Sequence, residues 1–155
     1  MTYLVPTSST VPATWRYTTT VSPPPASWVQ AAFDDSRWKT GQGVFGNLAP
    51  PGIVMRTAWT DSPGDLWLRR TLTLPPGTYS NLAFLVCHDE DVEIYVNCVL
   101  AAKTAGYNGA YEPLQITPAA LELLKPGAKV TLAVHCHQTI GGQSVDVGLA
   151  SVSEH

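Results

Sequence analysis

N-L-A-F-L-V-C-H-D-E-D-V-E-I-Y-V-N-C-V-L, residues Asn81 to Leu100, decides how the rest of the chain is read. Leu82 to Cys87 is an unbroken apolar run of strand length. A tight charged run, His88-Asp89-Glu90-Asp91, ends it. Val92, Ile94 and Val96 then alternate with Glu93, Tyr95 and Asn97, the period-two signature of a second strand. Asn97 turns the chain back into Val99-Leu100. The pattern predicts that 82–87 and 92–97 form a hairpin. The charged bend has two readings, a structural corner or a ligand-binding cluster.

Working outward, the strand signals recur. Leu66 to Leu74 places Leu68, Arg70, Leu72 and Leu74 on one face and Trp67, Arg69, Thr71 and Thr73 on the other. Lys129 to His137 alternates most clearly, with Val130, Leu132, Val134 and Cys136 inward and Thr131, Ala133, His135 and His137 outward. Shorter extended pieces are expected at Tyr3–Val5, Thr14–Val21, Glu112–Ile116 and Ser144–Val152. Thr117 can cap a brief helix with Pro118 at its first position, running to Leu124 before Lys125-Pro126-Gly127 stops it. Pro23-Pro24-Pro25 forces an extended passage, and Asp34-Asp35-Ser36 is turn chemistry, with Phe33 and Trp38 beside it as core anchors. Gly41 to Pro63 reads as a loop; its glycines match neither phosphate-cradling motif. There is no internal repeat.

Composition agrees with an all-β chain. Of 155 residues, 13 are Pro and 12 are Gly, spread as punctuation rather than as a low-complexity block. One domain, 1–155 with its core at about 14–152, is the expectation for this length. The net charge of −3 leaves no basic stripe for nucleic acid, and Arg69-Arg70 point to opposite faces of a strand. No apolar run approaches the roughly 18 residues a membrane span needs. The N-terminus shows neither the basic nor the apolar region of a signal peptide. Cys87, Cys98 and Cys136 fit no zinc spacing and no disulfide-dense scaffold. Short strands at spacings of about 8 to 20 residues with one minor helix indicate an antiparallel β-sandwich, of jelly-roll type because several connections are long enough to cross between sheets.

Four stretches carry a resemblance. Trp28, Phe33-Asp34-Asp35-Ser36 and Trp38, then Asp65 to Pro75, His88 to Asn97, and Leu124 to Leu149 occur in the order found in the jelly-roll domain of β-galactosidase and β-glucuronidase-type glycoside hydrolases. The chain resembles that galactose-binding-domain-like module over about residues 14 to 150. The resemblance implies a non-catalytic accessory domain, a carbohydrate-binding module or a purely structural one, whose partners are a polysaccharide or oligosaccharide and a catalytic domain elsewhere in a larger secreted protein. An extracellular or periplasmic location follows from the same resemblance. It also implies a structural Ca2+ near the first and last strands, for which Asp146 is the ligand this chain offers. One position departs from the pattern: Asn97 is followed by Cys98, where the family has glycine. A type I′ turn there would need φ > 0 at both residues and would cost about 1 kcal/mol at Cys98.

Sugar-binding modules lay pyranose rings on flat aromatic faces, with a few polar groups fixing orientation. Trp15, Trp28 and Trp38 are assigned to the core. Tyr107 and Tyr111, in a Gly/Asn-rich loop, are the preferred stacking pair, with Trp59 in a loop and Trp67 on the polar face of its strand as further platforms; a Trp67 packed under a loop is the alternative. His88 and Asp89 complete the candidate sugar site. Three consecutive acids cannot flank a glycosidic bond from opposite walls, so Asp89, Glu90 and Asp91 are read as a corner with one Asp bonding backbone amides. A different class of function, a small metal-dependent enzyme, would use His88, His135 and His137, the last two about 7 Å apart along one strand face. A Cys87–Cys136 disulfide is open to the chain if those strands adjoin.

Overall fold

A computed structural model of the protein describes residues 1–20, 22–60 and 64–152. Val21 and Pro63, expected ends of a strand and of a loop, lie outside the described residues, as do the last three residues of the expected domain. In chain order the strands are β1 (Thr2–Val5), β2 (Thr14–Thr20), β3 (Lys39–Gln42), β4 (Phe45–Gly46), β5 (Thr57–Ala58), β6 (Gly64–Thr73), β7 (Leu82–Asp89), β8 (Asp91–Val96), β9 (Val99–Thr104), β10 (Glu112–Gln115), β11 (Lys129–Gln138) and β12 (Ser144–Ser151). The first sheet has the order β10-β7-β12-β4-β5, with β1 also paired to β12; the second has the order β3-β2-β6-β11-β8-β9. Pairing is antiparallel except for the two-residue contact of β4 with β5. The result is the expected jelly-roll sandwich.

The alternation read from sequence decides which side chains meet between the sheets. Phe84 and Val86 of β7 and Val145, Val147 and Leu149 of β12 face Leu66, Leu68, Ile94, Leu132, Val134 and Cys136 of the opposite sheet in one hydrophobic core. Each fully buried aliphatic side chain contributes about 1.5–3 kcal/mol relative to exposure, so this layer supplies most of the driving force. Thr117 caps α1 (Pro118–Leu121), accepting from Ala120 N. The same residue takes two carbonyls of edge strand β9: its N–H donates to Ala101 O and its hydroxyl to Leu100 O. That partly shields the edge from pairing with another chain.

The expected hairpin of 82–87 with 92–97 does not form. β7 pairs with β10 and β12, while β8 pairs with β11 and β9, so the two strands belong to different sheets. Only Glu90 separates them. The charged run is therefore a corner between layers, and the hairpin partner of β8 is β9. At that β8–β9 turn Asn97 and Cys98 have φ of 44° and 67°, the left-handed pair of a type I′ turn. The turn is tied to β11: Asn97 N donates to Thr131 O, and Thr131 N donates to Asn97 Oδ1 at 2.9 Å. Cys98 thus occupies a glycine-favouring conformation that the flanking ladder holds in place.

Polar side chains pin the connecting segments to the outer faces. Arg69 is 3% exposed and holds the 28–35 segment: Nε donates to Asp35 at 2.9 Å, and the guanidinium reaches the carbonyls of Trp28, Gln30 and Phe33. Ser36 N donates to Asp34 Oδ1, the turn that Asp34-Asp35-Ser36 predicted. On the other sheet, Asp146 is 2% exposed and accepts three hydrogen bonds, from Ser8 N and Ser8 Oγ at 2.7 Å each and from the Tyr111 hydroxyl at 2.6 Å. This carboxylate fastens the N-terminal segment and the 105–111 loop to β12. Gly43 lies so close that a Cβ there would sit 2.5 Å from Asp146 Oδ1 and 2.3 Å from Ser8 Oγ. The three cysteines are free thiols; Cys136 faces the core while Cys87, beside Asp146, faces outward, so the Cys87–Cys136 bridge is not made.

Three outcomes test these assignments. Cys98→Gly relieves the left-handed strain and should raise unfolding free energy by about 1 kcal/mol in urea titration; an unchanged or lower midpoint contradicts the turn. Asp146→Ala strands three buried donors and should cost about 3 kcal/mol by the same measurement; a loss under 1 kcal/mol would remove the carboxylate from its anchoring role. Burial pushes the Cys87 thiol from 9.0 to about 11, and burial with the Glu93 contact pushes Tyr95 from 10.0 to about 12. Both keep their protons in the folded chain at pH values where the unfolded chain has lost them. Their stabilisation is complete below pH 9 and declines as pH rises toward 12. Urea midpoints at stepped pH should show that decline, and a flat profile over this window rules it out.

Candidate functional site

The acids of the corner have three different fates. Asp91 Oδ1 accepts from Gly106 N at 2.8 Å, the backbone contact expected of one corner Asp, and Glu90 accepts from the Thr139 hydroxyl. The Asp89 carboxylate has no hydrogen-bond or ion-pair partner among the described residues, and its pKa is raised above the usual range, first by burial and then by the neighbouring Glu90 charge, against a smaller opposite pull from His88. A half-buried, unpaired carboxylate with a raised pKa is a recognised mark of a functional position.

The 105–111 loop is laid against this corner by Asn108. Its N–H donates to His88 O, its Oδ1 accepts from His88 N, and its Nδ2 donates to Val86 O, each at 2.9 Å. Asn108 extends the β10–β7 ladder as a strand residue would, and an Asp89–Tyr107 bridge continues it. Tyr107 is thereby held with its ring in water, 76% exposed. Opposite stands Leu48-Ala49-Pro50-Pro51, positioned because Asn47 N donates to Gln143 O and Asn47 Oδ1 accepts from Gln143 N. Gly46 makes this approach feasible: a Cβ there would lie 2.1 Å from Gln143 O. Between the two loops is a hollow of about 440 Å³, lined by Leu48, Pro50, Pro51 and Tyr107 with Asp89, Asn108 and Ser144 as polar groups. That size suits a small ligand.

The structure brings Tyr107 and Asp89 together and places the other candidates elsewhere. Trp59 is 1% exposed: its loop dips between the sheets, so the indole fills the core. Trp67 is 6% exposed because the face that alternation marked as polar is covered, with Trp28 edge-on at 5.0 Å and the His135 ring stacked at 3.8 Å. Phe33 and Trp38 also belong to this outer cluster rather than to the main core. Tyr111 directs its hydroxyl to Asp146 and is half-buried, so it does not pair with Tyr107 as a platform. Asp146, the ligand expected for Ca2+, accepts from Ser8 and Tyr111 in the same knot.

His88 is buried in the first sheet with Nδ1 on Glu90 O, 2.7 Å away. His135 and His137 lie on the second sheet and both contact Asp65 Oδ1, at 2.7 and 2.8 Å. The three imidazoles do not converge, and among the described residues no group of three His, Cys, Asp or Glu could hold a metal ion. A larger cleft, about 570 Å³, lies at the opposite end of β7, lined by Tyr79, Leu82, Ile116, Leu121 and Leu124. Its one aromatic ring is half-buried with the hydroxyl on Pro75 O, so it offers no open stacking face. Sequence reasoning missed Asn108 and the 48–51 wall; an Asn before Gly109 reads only as turn chemistry, and the wall acts through a contact 96 residues away in the chain.

No family model and no curated protein matches the chain. Solved structures do. A calcium-binding mutant of Bacteroides uniformis beta-glucuronidase 2 aligns over 91% of this chain and 18% of its own, with a TM-score of 0.59 and 19% identity. The Ruminococcus gnavus beta-glucuronidase aligns over 96% of this chain and 29% of its own, at 0.59 and 12%. The Faecalibacterium prausnitzii enzyme aligns over 82% and 20%, at 0.54 and 18%. The chain therefore spans less than a third of each of these enzymes, and its fold is that of a β-sandwich domain within bacterial beta-glucuronidases.

Proposed function

We propose that this chain is a non-catalytic, glycan-binding accessory domain of a glycoside hydrolase, and that it binds sugar weakly in the hollow beside Tyr107. The observation that carries the reading is the exposed Tyr107 ring set across from the Leu48–Pro51 wall, with the unpaired Asp89 carboxylate between them. A pyranose laid on the phenol ring buries its C–H face there and presents hydroxyls to Asp89. The role as accessory is supported by the small share of each beta-glucuronidase that the chain matches, which leaves catalysis and the choice of bond to another part of a larger protein. Secretion with that larger protein belongs to the same proposal. A purely structural accessory role is the competing reading, favoured by Trp59, Trp67, Tyr111 and Asp146 all being spent on packing.

Affinity electrophoresis and calorimetry across a polysaccharide panel separate the two. Retardation on at least one glycan is expected, with Tyr107→Ala weakening it about tenfold or more while unfolding free energy stays within about 0.5 kcal/mol. No retardation on any glycan, or undiminished affinity in Tyr107→Ala, removes the binding role assigned to this hollow.

A further inference from the structure

We infer that the Tyr107 hollow selects uncharged glycans and turns away uronate-bearing and sulfated ones. The inference rests on the glycan-binding reading and narrows its ligand class. The hollow's lining contains no Lys, Arg or His. Of its polar side chains, Asn108 has Oδ1 accepting from His88 N and one Nδ2 hydrogen on Val86 O, and Ser144 is 1% exposed. Asp89 is thus the side chain whose carboxylate oxygens are both unengaged, alongside the Tyr107 hydroxyl and the second Asn108 Nδ2 hydrogen. An ionised carboxylate only accepts, so it needs ligand O–H donors, and its two oxygens match the paired hydroxyls of a neutral sugar ring.

A uronate or sulfate group offers that carboxylate no proton and adds a like charge beside the half-buried Asp89. Glu90, next in the chain, reinforces the negative field, as its upward push on Asp89 shows. The chain as a whole carries −3 and the hollow's lining holds no cation; the buried His88 pulls the Asp89 pKa down, but burial and Glu90 outweigh it. The discrimination is therefore electrostatic, with two consequences: it should weaken when salt screens the pair, and it should depend on the charge of Asp89 rather than on its shape.

The test is calorimetry of the 155-residue chain against galacto-oligosaccharides and oligogalacturonides, at low salt and at about 1 M salt, repeated with Asp89→Asn and Tyr107→Ala. The neutral ligand should bind about tenfold or more tightly than the uronate at low salt, and the gap should narrow at high salt and in Asp89→Asn. Uronate binding equal to or tighter than neutral binding, abolished by Tyr107→Ala, leaves the glycan site standing and overturns the selectivity. A gap that neither salt nor Asp89→Asn reduces also overturns it. Absence of binding to either ligand and to the wider panel overturns the glycan reading and the selectivity together. The salt series uses the native chain, so the outcome does not depend on a variant folding.

Discussion

One residue, Glu90, separates a strand of the first sheet from a strand of the second, and this corner constrains everything around it. A backbone that leaves one ladder and enters another within a single residue strands polar groups that the sheets would otherwise pair. The acids and Asn108 meet that demand. Asp91 accepts from Gly106 N, the Glu90 carbonyl engages His88 Nδ1, and Asn108 pairs with the main chain on both sides of His88. These bonds set the position of the 105–111 loop, and so the position of Tyr107. Asp89 is the one acid that the corner leaves unspent. The candidate site is thus a by-product of turning the chain between layers, with the fold's own requirements dictating which carboxylate remains for a ligand.

Both outer faces are closed by a single buried ion. Arg69 gathers three carbonyls and Asp35 to hold the 28–35 segment over Trp67, and Asp146 gathers Ser8 and Tyr111 over the opposite sheet. Hydrogen bonds to charged groups are each worth about 1.5–3 kcal/mol, more than neutral ones, and they specify which segment docks where. The aromatic motif of the 28–38 stretch accordingly serves packing: Trp28 and Trp38 roof the second sheet, and Asp35 is the counter-charge of Arg69. The charged and aromatic side chains of these segments are thus spent on the domain's own cover, which leaves the loops at the sheet ends as the open surface.

What was legible in the sequence follows from which signals are local. β11 and β12 were readable because alternation records a buried face directly, and α1 because Thr117-Pro118 is a local start signal. The 82–97 pairing was misread because proximity in sequence favours a hairpin, whereas a corner of one residue leaves the same alternation on both strands. Trp67 was misassigned because alternation reports only which side of the sheet a residue occupies, and that side is roofed by residues some 30 to 40 positions earlier. β4 and β5, two residues each, are too short to carry any period and exist through their contacts with β12 and each other. The exposure of Tyr107 was legible because a Gly/Asn-rich loop cannot bury a large ring by its own structure; Tyr111 sits in the same loop and is drawn in by Asp146, a partner 35 residues away.

The same contrast bears on how strongly such a site can bind. Tyr107 and Asp89 stand on a bridge anchored by three 2.9 Å bonds, so a ligand bound there would cost little conformational freedom. Against that, a single aromatic face and one carboxylate desolvate only a small area, which limits the free energy a lone hollow can return. Under the proposed glycan-binding role, this geometry would give weak binding, which would suffice if the domain were tethered to a catalytic partner. Tethering raises the effective concentration of glycan near the enzyme to the millimolar range for short linkers, so millimolar affinity already retains substrate. Tighter binding would slow transfer along a polymer without improving capture. On the proposed role, a shallow site built on a rigid corner would suit an accessory domain better than a deep one.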